Sequence, residues 1–104
     1  MTTQIRPLGK VRDIVQATGL DIAYAYDDLV FSENSVFVIR FDENIAEKLH
    51  LYFNVDCHPS ESKVIEHRLK IAGKIAEFEI ASAGLFAVNQ IEGKEEITIN
   101  FIVS

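Results

Sequence analysis

Hydrophobic positions along the chain alternate between two periods. Leu8, Val11, Ile14 and Val15 fall at helical spacing behind Pro7, which suits a first helical turn, and Gly19 is placed as a stop. This predicts a helix over 7–18. Period two follows. "IAYAY" (22–26) and "LVF" (29–31) are apolar and aromatic, split by Asp27-Asp28, which reads as a turn because Asp side chains bond their own backbone there. "SENS" (32–35) is a turn by composition. "VFVIRF" (36–41) puts Phe37, Ile39 and Phe41 on one face and Val36, Val38 and Arg40 on the other. After the connector "DENIAEK", "LHLYFNVD" (49–56) sets Leu49, Leu51, Phe53 and Val55 against His50, Tyr52, Asn54 and Asp56. Near the end "LFAVNQI" (85–91) and "EITINFIV" (96–103) flank "EGKE", a connector of hairpin length. There Ile97, Ile99, Phe101 and Val103 alternate with Thr98, Asn100 and Ile102.

The stretch between these β regions admits two readings. Lys63, Glu66, His67, Lys70, Lys74 and Glu77 form one polar stripe on a 3.6-residue helix, opposite Val64, Ile65, Leu69, Ala72, Ile75 and Ala76. Ser60, after Pro59, is an N-cap candidate, Glu61 sits in the dipole-favoured first turn, and Glu66 and Lys70 form an i,i+4 pair. As a hairpin, the alternation of Ile65, His67, Leu69 and Ile71 and that of Ala76, Phe78 and Ile80 meet at a Gly73-Lys74 turn. Gly-Lys is a weaker turn than Asn-Gly or Asp-Gly, whereas a helix must only tolerate Gly73, at about 1 kcal/mol relative to Ala. The helix, over 60–77, is the better reading, and "FEIA" (78–81) then returns to the sheet. The expected fold is one α+β domain over residues 1–104. It has a single antiparallel sheet of about five strands with two helices on one face, in the order α-β-β-β-α-β-β.

This order resembles the core of the class I type III secretion chaperones, through Leu8 to Val15, the strands at 36–41 and 49–56, the helix at 60–77 and the hairpin "LFAVNQIEGKEEITINFIV". The likeness is one of element pattern, without a diagnostic motif. It implies a homodimer that holds an extended client peptide. The family usually adds a third, C-terminal helix, whereas the closing stretch here (96–103) reads as a strand. "EIASAGLFAVNQI" (79–91) is similar to a segment of the SecB export chaperone, through Ala83-Gly84-Leu85-Phe86. That likeness belongs with the hairpin reading.

Composition narrows the function classes. The chain has 104 residues, 48% hydrophobic and 25% charged, with a net charge of −6 and no clustered Lys or Arg. Phosphate backbones and anionic membranes need clustered cations, so nucleic acid and membrane are not expected partners. One cysteine, Cys57, excludes an intrachain disulfide, and the first fifteen residues lack a signal peptide's apolar core; both favour a cytoplasmic location. An enzyme would draw on Cys57 and His58, yet neighbours in an extended segment point apart. A metal site would draw on His50, Asp56, Cys57, His58 and His67. His50 and Asp56 share a face but lie about 20 Å apart along a strand, and no spaced Cys and His pairs accompany them, so no metal or cofactor is expected.

The face of the sheet away from the helices carries more information. If Phe37, Ile39, Phe41, Leu49, Leu51, Phe53 and Val55 pack under the helices, the other face shows Val36, Val38, Tyr52 and Ile102, joined by Tyr24 or Tyr26. Either the N-terminal segment covers these groups, or they meet a protein partner or a second copy in a homodimer. The expected function is a non-catalytic, chaperone-like interaction module. The alternatives are a small enzyme or metal-binding protein using Cys57 and His58, and a stand-alone domain.

Overall fold

The computed structural model describes residues 8–26, 28–90 and 97–103. The chain runs α1 (Leu8–Gln16), β1 (Ile22–Tyr26), β2 (Leu29–Ser32), a short 3-10 segment (Glu33–Ser35), β3 (Phe37–Phe41), β4 (Lys48–Asn54), α2 (Pro59–Ile75), β5 (Glu79–Gln90) and β6 (Ile97–Val103). The six strands form one sheet whose spatial order is the chain order. The α+β class holds, and two details differ from the sequence pattern. Residues 22–32 form two paired strands, which raises the strand count to six and the order to α-β-β-β-β-α-β-β. The sheet is mixed, because β4 and β5 pair in parallel while every other pair is antiparallel. The cause is α2. A helix-length crossover carries the chain back to the end of the sheet where β4 began, and only a parallel partner fits there.

Both helices lie on one face. Val11, Ile14 and Val15 of α1 and Leu69 of α2 are buried with Val30, Phe37, Ile39, Phe41, Leu49, Leu51, Phe53, Phe78 and Ile80. The alternation assigned the residues of β3 and β4 to this core correctly, apart from Val55. β4 ends at Asn54, and Val55 sits exposed in the following turn. A bidentate pair from Arg12 to Asp21 (3.1 Å for each bond) joins α1 to the approach of β1. It holds the Asp21 carboxyl below its ordinary value, with help from the Ile22 N–H.

The ambiguous stretch is a helix. It starts one residue before the expected Ser60, because Pro59 occupies the first turn, where its missing N–H costs nothing. The cap is His58, whose Nδ1 accepts from the Ser60 N–H at 3.2 Å. Gly73 is buried, and a Cβ there would lie 2.6 Å from Cγ1 of Ile80. The glycine thus lets β5 approach the helix and is not a turn. The C-terminus closes with the Phe78 N–H donating to the Gly73 carbonyl (2.7 Å) and the Glu77 N–H donating to the Lys74 carbonyl (3.1 Å). This pattern needs a left-handed residue, here Glu77 at φ 65°.

A second, smaller core lies on the opposite face. Phe31, Val38, Tyr52 and Phe86 are buried there, with Leu29, Ala83, Ile99 and Phe101 packed around them. The rings of Tyr52 and Phe101 are 4.6 Å apart, a distance at which aromatic pairs add to their area term. In β5, Leu51 pairs with Ser82 and Tyr52 with Gly84, which leaves Ala83 as a bulge. The bulge resets the alternation. Ser82 before it reaches Glu66 of α2, and Phe86 after it enters the second core.

Candidate functional site

The second core is open at one end, and the opening follows from unequal strand lengths. β4 pairs with β5 only as far as Asn54 opposite Phe86, whereas β5 runs on to Gln90 and pairs with β6 from Ile97. Val88 and Ile99, which face each other across that extension, therefore sit beyond the end of β4. Facing them stand β1, β2 and the 3-10 segment. Between the two walls is an apolar groove of about 540 Å³ lined by Tyr24, Leu29, Phe31, Asn34, Val88 and Ile99, among others. Tyr24 is 57% exposed and tilts against Phe31 at 5.8 Å between ring centroids.

The floor is fixed by polar bonds. The Ser32 hydroxyl is buried and accepts from the Phe37 N–H at 3.0 Å. Asn54 holds the 3-10 segment to the end of β4, its side-chain amide donating to the Ser35 carbonyl at 2.9 Å. Asn34 and Ser35 adopt positive φ (60° and 51°), a region non-glycine residues seldom occupy. The same two residues also line a smaller hollow of about 180 Å³ with Val36, Asn54, Asp56, Cys57 and Glu61. The groove and the hollow thus adjoin the same short segment, the saddle at Asn34 and Ser35.

The structure disperses the residues expected to share the exposed face. Val38 (0% exposed) and Tyr52 (5%) do lie on it but are buried within the chain. Tyr24 lies there and is exposed. Tyr26 ends β1 opposite Leu29, and its side chain lies outside the described residues. Val36 precedes β3, with helical φ and ψ, so alternation does not apply to it, and it packs against the first core. Ile102 pairs with Leu85, the partner of Phe53, which puts it on the helix face, half exposed. Alternation finds two sets in β6 but cannot say which is inward, and Ile99 and Phe101 take the face opposite the helices. The groove residues missed in the sequence are Leu29, Phe31, Val88 and Ile99. Their apolar type was visible, but the bulge at Ala83 hid the face of Val88.

The polar residues fall elsewhere. The Cys57 thiol points at the His58 carbonyl (3.7 Å), and the His58 ring is engaged with Ser60, with 2.8 Å between Nδ1 and Oγ. Burial, then the Glu61 charge, push the thiol above its ordinary value, the reverse of what an activated nucleophile needs. Among the described residues no three His, Cys, Asp or Glu side chains are grouped to hold a metal ion. A close polar pair lies at the β3–β4 turn, His50 Nε2 and Asp42 Oδ1, 2.7 Å apart. Asp42 also accepts from the N–H groups of Asn44 and Ile45 at 2.9 Å, so it organises the β3–β4 turn. The His50 bond, followed by these two, holds its carboxyl at about 2. No helix among the described residues is long and apolar enough to cross a membrane. No protein-family model, curated protein or solved structure matches the chain.

Proposed function

We propose that the chain is a small protein-interaction module, chaperone-like in that it binds a protein partner without catalysing a reaction on it. The observation that carries this reading is the open apolar groove, with Tyr24 and Val88 exposed at its mouth. Ligand clefts of several hundred Å³ lined mainly by apolar groups are the usual form of a recognition site, and exposed Tyr is enriched in protein interfaces. The test is the light scattering of reduced, aggregating α-lactalbumin. The wild type should slow its rise, and a Tyr24→Asp/Val88→Asp variant with an unchanged circular dichroism spectrum should not. Scattering unaffected by the wild type at tenfold excess would reject the client-binding form.

Self-association is a second form of the reading, favoured by a different surface. Val64, Ile71 and Ile75 lie on the outward side of α2, and Ile75 is 80% exposed. Sedimentation equilibrium at high micromolar concentration should then show a dimer that Ile71→Lys/Ile75→Lys dissociates. A wild-type monomer under those conditions removes the homodimer.

A further inference from the structure

The groove does not end at apolar side chains. Asn34 and Ser35, which line it, also line the smaller hollow, together with Asp56 and Glu61. Glu33, next to the saddle, is exposed as well. Among the described residues none of these three carboxylates has a cation partner, whereas Asp21 is paired with Arg12, Asp28 with Arg40 and Glu79 with Lys48. The Glu61 charge is felt locally, since it helps raise the Cys57 thiol. An apolar trough therefore lies beside a region of uncompensated negative charge.

We infer that the groove takes an extended peptide segment of a partner protein in which apolar side chains are accompanied by Lys or Arg. The apolar groups settle between Tyr24, Phe31 and Val88, and a cation reaches Asp56 and Glu61. The inference rests on the interaction reading above and names the chemistry of the partner. Charge complementarity selects this occupant. A second copy docking here isologously would bring its own Glu33, Asp56 and Glu61 to the same contact, setting like charges together. An acyl carboxylate would meet the same repulsion. A neutral apolar peptide would leave the acidic rim unused.

The test compares two fluorescein-labelled octapeptides by anisotropy, one alternating Leu and Lys and the other Leu and Glu. The Leu–Lys peptide should bind about tenfold more tightly, an advantage that shrinks as salt rises. Asp56→Asn/Glu61→Gln should weaken the Leu–Lys peptide about fivefold, the scale of two exposed ion pairs, and should not weaken the other. Both substitutions are at exposed sites, and an unchanged thermal midpoint shows that the variant is folded. Equal binding of the two peptides, or a charge variant that binds like the wild type, overturns the inference. If in that case Tyr24→Ser/Val88→Ser still weakens both peptides, the groove remains a binding site and only its charge preference falls. If neither peptide binds, or if the wild type forms a dimer that Tyr24→Ser dissociates, the assigned occupant is wrong, and the client assay alone then decides the wider reading.

Discussion

Gly73 carries more of the fold than its size suggests. In an exposed helix, replacing Gly by Ala gains about 1 kcal/mol. Here the added Cβ would meet the buried Ile80 side chain at 2.6 Å and the Phe78 carbonyl at 3.3 Å. Overpacking of this kind costs about 1–3 kcal/mol, so Gly73→Ala should lower the urea midpoint despite its better helix propensity. Asp42 gives a prediction of another kind. Its carboxyl is lowered from 3.8 to about 2, first by His50 and then by the Asn44 and Ile45 N–H groups. A depressed carboxyl stabilises the fold above its unfolded value, and that stabilisation disappears as the pH falls through the folded value. The urea midpoint of the wild type should therefore drop between about pH 4 and pH 2, and Asp42→Asn should flatten part of the drop. Part should remain, because Asp21 is lowered too, by Arg12. Neither residue's role was legible in the sequence. Gly73 read as a tolerated defect because its neighbour Ile80 arrives from a later strand, and Asp42 read as connector because its partner His50 lies in the next one.

The elements were more legible than their pairing. Period and length separated helix from strand even at Ser60–Glu77, since one helical stripe spans the whole segment. What periodicity lacks is a sign. It groups Ile99 with Phe101 and sets Ile102 apart, but only the partner strands decide which set is inward. It also cannot detect an inserted residue such as Ala83, beyond which every side chain of β5 changes face. In β3 the faces are read correctly, but periodicity does not show what covers the second one. Val38 lies on the face opposite the helices as alternation predicts, and the second core closes over it. Val38→Asp should therefore unfold the monomer, because an unpaired charge in that site costs about 3 kcal/mol or more of a total of about 5–15 kcal/mol. Tyr24→Asp, at a 57% exposed position on the same face, should leave the thermal midpoint within a few degrees of the wild type. A calorimetric scan of the two variants separates a core position from a surface one, and equal loss in both would contradict the two-layer arrangement.

At the scale of the molecule, the sheet is filled from both sides at its centre and from one side near its margins. β3 has Phe37, Val38 and Ile39 fully buried in succession, so two cores share one strand. Amide exchange should accordingly be slowest in β3 and β4 and fastest in β1 and the far end of β5 and β6. Uniform exchange across the six strands would mean that the second core adds little. The strand order carries a further consequence. Every strand lies beside its neighbour in the chain, and among the described residues the parallel ladder of β4 and β5 is the seam where a helix carries the chain out of the sheet and back. A break in the chain near His58 would divide it into a four-stranded piece with α1, which holds most of both cores, and a two-stranded piece with α2, which supplies Leu69, Phe78 and Ile80 to one core and Phe86 to the other, each with an unfinished sheet edge. Such fragments have one edge on which to recognise each other, which makes this small domain a natural template for a split reporter.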